Sequence, residues 1–105
     1  MAELPFVLTA EQTCSACPEQ WEGDLVAGLR FYFRYRWGVA SLGVGPDEGS
    51  AVCDPHEVRT SYGHKLAGVF EDAHVRDWVF WQLLRDRLRD PSLDRLRREL
   101  IGEQT

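Results

Sequence analysis

The sequence predicts an α+β domain: an antiparallel β-meander of about four to five strands, with its apolar face covered by two C-terminal helices. Three observations carry this. LRFYFRYRW, residues 29–37, alternates apolar and polar side chains with the period of a half-buried strand. The three residues that separate it from QWEGDL, residues 20–25, keep like with like across a hairpin. From Asp72 onward the apolar period lengthens to that of a helix.

The hairpin follows from parity. With Val26-Ala27-Gly28 as the loop, Leu25 faces Leu29, Asp24 faces Arg30, Glu22 faces Tyr32 and Trp21 faces Phe33. A loop one residue shorter would set Leu25 against Arg30 and mix the faces, because a one-residue slip turns every side chain over. Gly28 suits the left-handed position of a three-residue loop. A second connection at Trp37-Gly38 leads into VASLGVG and pairs Tyr35 with Ala40, Phe33 with Leu42 and Phe31 with Val44. Residues 20–45 thus read as a three-stranded meander with one apolar face.

GPDEGSAVCDPHE, residues 45–57, reads as a loop from its Gly, Pro and Asp content. KLAGVF, residues 65–70, and FVLTA, residues 6–10, read as further strands. Asp72 is placed to N-cap a helix over 73–89 with Val75, Trp78, Trp81, Leu84 and Leu88 on its buried stripe, widened by Val79, Phe80 and Leu83. Asp90-Pro91 ends that helix and starts a second, with Leu93, Leu96, Leu100 and Ile101 along one side and Gly102 at its end. The expectation is one domain over 1–105, with its sheet in about 6–70 and its helices in about 72–102.

At 105 residues, 44% of them hydrophobic, the chain is long enough to bury one core and far from a disordered composition. Its apolar runs fall short of the roughly 20 residues that span a bilayer. The first residues, MAELPFVLTAEQ, lack the basic start and long apolar stretch of a secretion signal. Three cysteines, an odd number, do not form a paired framework. A cytoplasmic protein without membrane attachment is therefore expected. Eleven arginines to one lysine, no asparagine and a single isoleucine point to a GC-rich bacterium or its phage.

A net charge of −5 argues against general affinity for nucleic acid or anionic membranes. Two arginine clusters qualify that. Arg30, Tyr32, Arg34 and Arg36 interleave base with aromatic on one strand face, a pattern that suits phosphate contact and base stacking. Asp24 and Glu22 across the hairpin offer the competing reading of cross-strand pairing. RDRLRDPSLDRLRR carries arginines diluted by Asp86, Asp90 and Asp94, the spacing of a solvated helix face.

The remaining chemistry lies in CSAC and CDPH. Cys14, Cys17, Cys53 and His56 make two short-spaced pairs that could close a tetrahedral, structural zinc site. Cys14 and Cys17 belong near the Trp37 end of the meander, whereas the third strand finishes at Gly45. The eight residues from Gly45 to Cys53 reach about 26–29 Å if fully extended, so closure requires that loop to run back nearly straight. Separate reduced cysteines are the plain alternative. A CxxC redox pair is a third reading, but such pairs sit where a strand feeds a helix, and here a strand follows.

His64, Tyr62 and His74 are the other acid–base groups, with no nucleophile or second carboxylate placed beside them by the sequence. Phosphate loops, nucleophile elbows and metalloprotease helices are missing. Trp21 and Trp78 are core candidates. Trp37 falls at a hairpin tip, and Trp81 with Phe80 belongs to the widened helix stripe. Aromatic side chains of that kind build contact surfaces. The sequence therefore suggests a small non-enzymatic protein that binds another protein or a second copy of itself through Trp37, Trp81 and Phe80, with zinc as a structural ion. The alternatives are a nucleic-acid-binding regulator and, behind it, a CxxC thiol redox protein.

Overall fold

The computed structural model describes residues 1–16 and 18–91. Five strands form one antiparallel sheet in sequential order: β1 (Glu11–Ser15), β2 (Glu19–Asp24), β3 (Arg30–Arg36), β4 (Val39–Gly45) and β5 (Val58–Ser61). A short helix, α1 (Glu48–Val52), lies between β4 and β5, and one long helix, α2 (Ala73–Leu88), follows the sheet. The α+β class and the antiparallel meander stand. The second C-terminal helix expected from Pro91 to about Ile101 falls outside the described residues beyond its first position.

The register of the meander is the one parity dictates. Trp21 pairs with Phe33, Asp24 with Arg30, Phe31 with Val44 and Tyr35 with Ala40. The Leu25 amide donates to the Leu29 carbonyl at 2.7 Å and closes the three-residue loop. Both Ala27 (φ 64°) and Gly28 (φ 72°) are left-handed there. At the next connection Trp37 (φ 56°) and Gly38 (φ 67°) form a two-residue turn of the I′ kind, which needs positive φ at both positions.

One sheet face is apolar and carries the aromatic core. Phe80 of α2 meets Phe31 and Phe33 edge-on, with centroids 4.9 and 5.2 Å away. Phe70 stacks on Tyr35 at 4.1 Å. Asp72 caps α2 as expected, accepting from the Val75 amide at 2.8 Å. The helix is rotated from the stripe read in the sequence, however. Val79, Phe80, Leu83, Leu84 and Arg87 are buried, while Trp78 is 60% exposed and so is not a core residue. Two contacts fix this rotation: Phe80 wedges between the β3 rings, and Arg87 reaches a buried carboxylate.

That carboxylate belongs to Asp54, in the stretch expected to be a loop. Pairing of β4 with β5 ends at Leu42 and Val58, so the Val44 amide has no strand partner. Asp54 Oδ2 accepts from it at 2.8 Å and from Arg87 Nε at 2.7 Å. Asp54 Oδ1 accepts from Arg87 Nη2 at 3.2 Å and from the His56 amide at 2.9 Å. Residues 48–52, meanwhile, form α1, capped by Asp47 accepting from the Ser50 amide at 2.8 Å. This helix lies on the sheet face opposite α2. Gly43 and Gly45 point there, toward Ala51 and Ser50.

Two expected strands are corrected. Residues 6–10 make one isolated bridge, Val7 to Leu25, and the strand proper begins at Glu11. Residues 65–70 are irregular, and the fifth strand is VRTS, Val58–Ser61. The reason is that 65–70 spends its backbone on single partners. Ala67 C=O accepts from the Gly38 amide and Gly68 C=O from the Glu19 amide, both at 2.9 Å. The Phe70 amide donates to the buried Glu19 side chain at 3.0 Å.

The close approach of α1 gives a prediction. A Cβ on Gly43 would run into the Ala51 carbonyl oxygen, which is backbone and cannot swing aside. Gly43→Ala should cost about 3 kcal/mol in urea unfolding, the upper range for overpacking. A cost below about 0.5 kcal/mol would show that α1 does not rest on β4.

Candidate functional site

The residues singled out in the sequence do not converge on one place. Cys14 is on the edge strand β1, opposite Gln20, and its thiol donates to the Ala16 carbonyl at 3.6 Å. Cys53 caps the end of α1, which packs on β3 and β4. Strands β2 and β3 lie between β1 and β4, about 14 Å of sheet. The loop does not run back as a zinc site would require, because 48–52 is helical and advances about 1.5 Å per residue. His56 points elsewhere, its Nδ1 3.6 Å from Asp90 Oδ2. Cys17 is outside the described residues, and among those described no three His, Cys, Asp or Glu side chains gather as a metal site.

The acid–base candidates are spoken for. Tyr35 donates its hydroxyl to the Tyr62 carbonyl at 2.5 Å, and Tyr62 donates to Glu71 Oε1 at 2.6 Å. That bond to Glu71, with some burial, pushes the Tyr62 hydroxyl up to about 12. Burial and then the Glu71 charge raise Tyr35 as well. Both hydroxyls are therefore held neutral as donors. His64 Nδ1 accepts from the Leu66 amide at 3.1 Å and shapes a turn, and His74 is exposed in the first turn of α2.

The aromatic contact residues separate. Phe80 is in the core with no exposed surface, so it cannot meet a partner while the domain is folded. Trp81 is half-buried and stacks on Phe6, with centroids 6.1 Å apart. Trp21 is half-buried beneath the Arg76 guanidinium at 4.5 Å, with its Nε1 donating to Glu19 at 2.8 Å. Trp37 is 57% exposed.

Among the described residues two surfaces are open. The larger is a cleft of about 400 Å³ between β5 and α2. Thr60, Ser61 and Tyr62 form its strand wall. Trp78, Gln82 and Asp86 form one i, i+4 row on the helix wall, with Val79 and Leu83 at the floor. β5 is the last strand of the sheet. The Tyr62 amide donates to the Gly38 carbonyl of the neighbouring chain segment at 2.8 Å, which fixes the alternation along the strand. The N–H and C=O of Arg59 and Ser61 therefore point outward along the free edge. The sequence does not reveal this cleft, because VRTS lacks a recognisable apolar alternation and the apolar stripe of the helix places Trp78 in the core.

The second surface is on the opposite face, where α1 leaves the Trp37 end of the sheet uncovered. The arginine–aromatic face found in the sequence is divided there. Arg30 pairs with Asp24 at 2.9 Å, and this bond, aided by Thr9, holds the Asp24 carboxyl below the usual range. Tyr32 donates to Gln20 Oε1 at 3.0 Å. Arg34 and Arg36 are exposed, and among the described residues neither makes an ion pair. They line a groove of about 200 Å³ with Trp37, Val39, Ser41 and Arg59.

Among the described residues no helix is long and apolar enough to cross a membrane. Tyr62 supplies a prediction. Its hydroxyl is raised from 10.0 to about 12 in the fold, so it adds stability that is whole below pH 10 and is lost as pH rises toward 12. Tyr62→Phe should reduce the fall in unfolding free energy over that window. An unchanged alkaline profile would mean that the Glu71 bond does not form. Comparison with protein-family models, curated proteins and solved structures returns no match for this chain.

Proposed function

We propose that this chain is a non-enzymatic interaction module that takes an extended segment of a protein partner into the cleft between β5 and α2. The observation that carries this reading is the pairing, among the described residues, of an uncovered strand edge with a helix wall of mixed polar and apolar side chains across a cleft of about 400 Å³. An incoming strand would hydrogen-bond to the outward amides and carbonyls of Arg59 and Ser61 and seat alternate side chains against Trp78 and Gln82 on the helix wall, the mode of strand addition. Asp86 at the rim favours a basic residue at one end of the segment. Trp78 takes the contact role that the sequence reading gave to Trp81 and Phe80. A large ring left 60% exposed on a helix is the kind of anchor around which such contacts are built.

The same surface admits a second copy of the chain, edge to edge, so self-association belongs to the test. Peptides selected from a random display library should protect the Arg59 and Ser61 amides from hydrogen exchange. Ser61→Pro removes one outward donor on an edge strand that tolerates proline. Trp78→Ala removes the anchor, and as a surface change it should alter stability by under about 1 kcal/mol. Each should weaken peptide binding at least about tenfold, the loss of about 1.4 kcal/mol. Sedimentation of the free protein would reveal a dimer through the same edge if Ser61→Pro dissolved it. Selected peptides that bind both variants as well as the parent would contradict the reading.

A further inference from the structure

The uncovered end of the outer sheet face is a separate surface with its own chemistry. Arg34, Ser41 and Arg59 stand in one cross-strand row on β3, β4 and β5, and Arg36 lies one pleat along beside Trp37. Ser41 is small and buried, so two guanidinium groups flank a low point in the sheet. Glu57 answers one of the three charges, with Arg59 Nε 2.6 Å from its Oε1. The other two carry no ion pair among the described residues. Like charges gathered on one face cost stability unless a counter-charge offsets them, and guanidinium groups match the oxygens of phosphates by their planar fork.

Trp37 adds a second, independent observation. It occupies the first position of a turn that needs positive φ, where asparagine or glycine would fit without strain and a bulky ring does not. Its ring is exposed, with the Arg36 guanidinium 5.1 Å from the centroid. The fold gains little from this ring at this place. A stacking platform beside unneutralised guanidinium groups is what a single-stranded nucleic acid uses: phosphates on the guanidinium groups, and one nucleobase on the ring.

We infer that Arg34, Arg36, Arg59 and Trp37 form a binding site for single-stranded nucleic acid, on the face opposite the cleft. The chain's overall charge of −5 confines the attraction to this patch, so binding is weak at physiological salt and grows as salt falls.

Fluorescence anisotropy with a labelled oligothymidylate of about 15 nucleotides tests this, titrated from 20 to 200 mM salt. Log affinity should fall against log salt with a slope of about −2, for about three phosphates of a single strand neutralised and their counterions released. Arg34→Gln with Arg36→Gln should lower affinity at least about tenfold and flatten the slope by about 1. Trp37→Asn, which suits the turn, should leave the slope alone and lower affinity about tenfold, the loss of one stacked base. Circular dichroism confirms that both variants are folded. Three results would overturn the inference: no binding at the lowest salt, equal binding by the arginine variant, or polyglutamate binding as tightly as the oligonucleotide. The last would assign the patch to acidic protein.

Discussion

Asp54 and Arg87 meet where the sheet runs out of partners. β5 is too short to cover the full length of β4, and the Val44 amide is left facing inward with nothing to pair it. The Asp54 carboxylate fills that gap and accepts four hydrogen bonds, two from backbone amides and two from one guanidinium. Both side chains are almost wholly buried, 2% and 1% exposed. Burying such a pair is costly, and it holds only because the geometry is bidentate and the remaining lone pairs are satisfied. The pair ties the end of α1, the start of β5, the edge of β4 and the last turns of α2 to one point. Both walls of the cleft are therefore set from the same carboxylate.

From that point the two sheet faces diverge in character. On the inner face, aromatic rings from β3 pack against α2 and the irregular segment that carries Phe70, and the helix leaves Trp78 beside the free edge of β5. On the outer face α1 covers the glycines of β4, and nothing among the described residues covers the Trp37 end. The sheet thus carries an open cleft on one face and a basic, aromatic patch on the other. The cysteines take part in neither surface as far as they are described. Cys14 sits on the far edge strand and Cys53, exposed, at the end of α1.

What the sequence made legible was whatever depends on parity. In β2 to β4 the inward positions apart from Glu19 are apolar or glycine over a long enough run that only one register keeps the faces apart, and loop lengths follow from it. The cap at Asp72 was legible because a single side chain decides it. The parts that were not legible depend on contacts between distant residues. Arg87 breaks the apolar stripe of α2, so a stripe drawn from hydrophobicity alone rotates the helix and buries Trp78. VRTS is too short and too polar to read as a strand until Asp54 delivers it to β4. KLAGVF has the composition of a strand, yet its carbonyls are taken up singly by Gly38 and Glu19. Arg59 joins Arg34 and Arg36 only once β5 exists, so the arginine face could be seen in part and its true centre could not.

Asp54 and Arg87 act as one buried unit, and the placement of both cleft walls depends on it. A double-mutant cycle in urea unfolding, with Asp54→Ala, Arg87→Met and the two combined, measures this directly. Each single change should cost about 3–5 kcal/mol, because it takes the opposite charge away from a buried ionised side chain. The double variant should cost about 2–3 kcal/mol less than their sum. If the two costs simply add, the residues do not depend on each other, and the cleft is not held from this point.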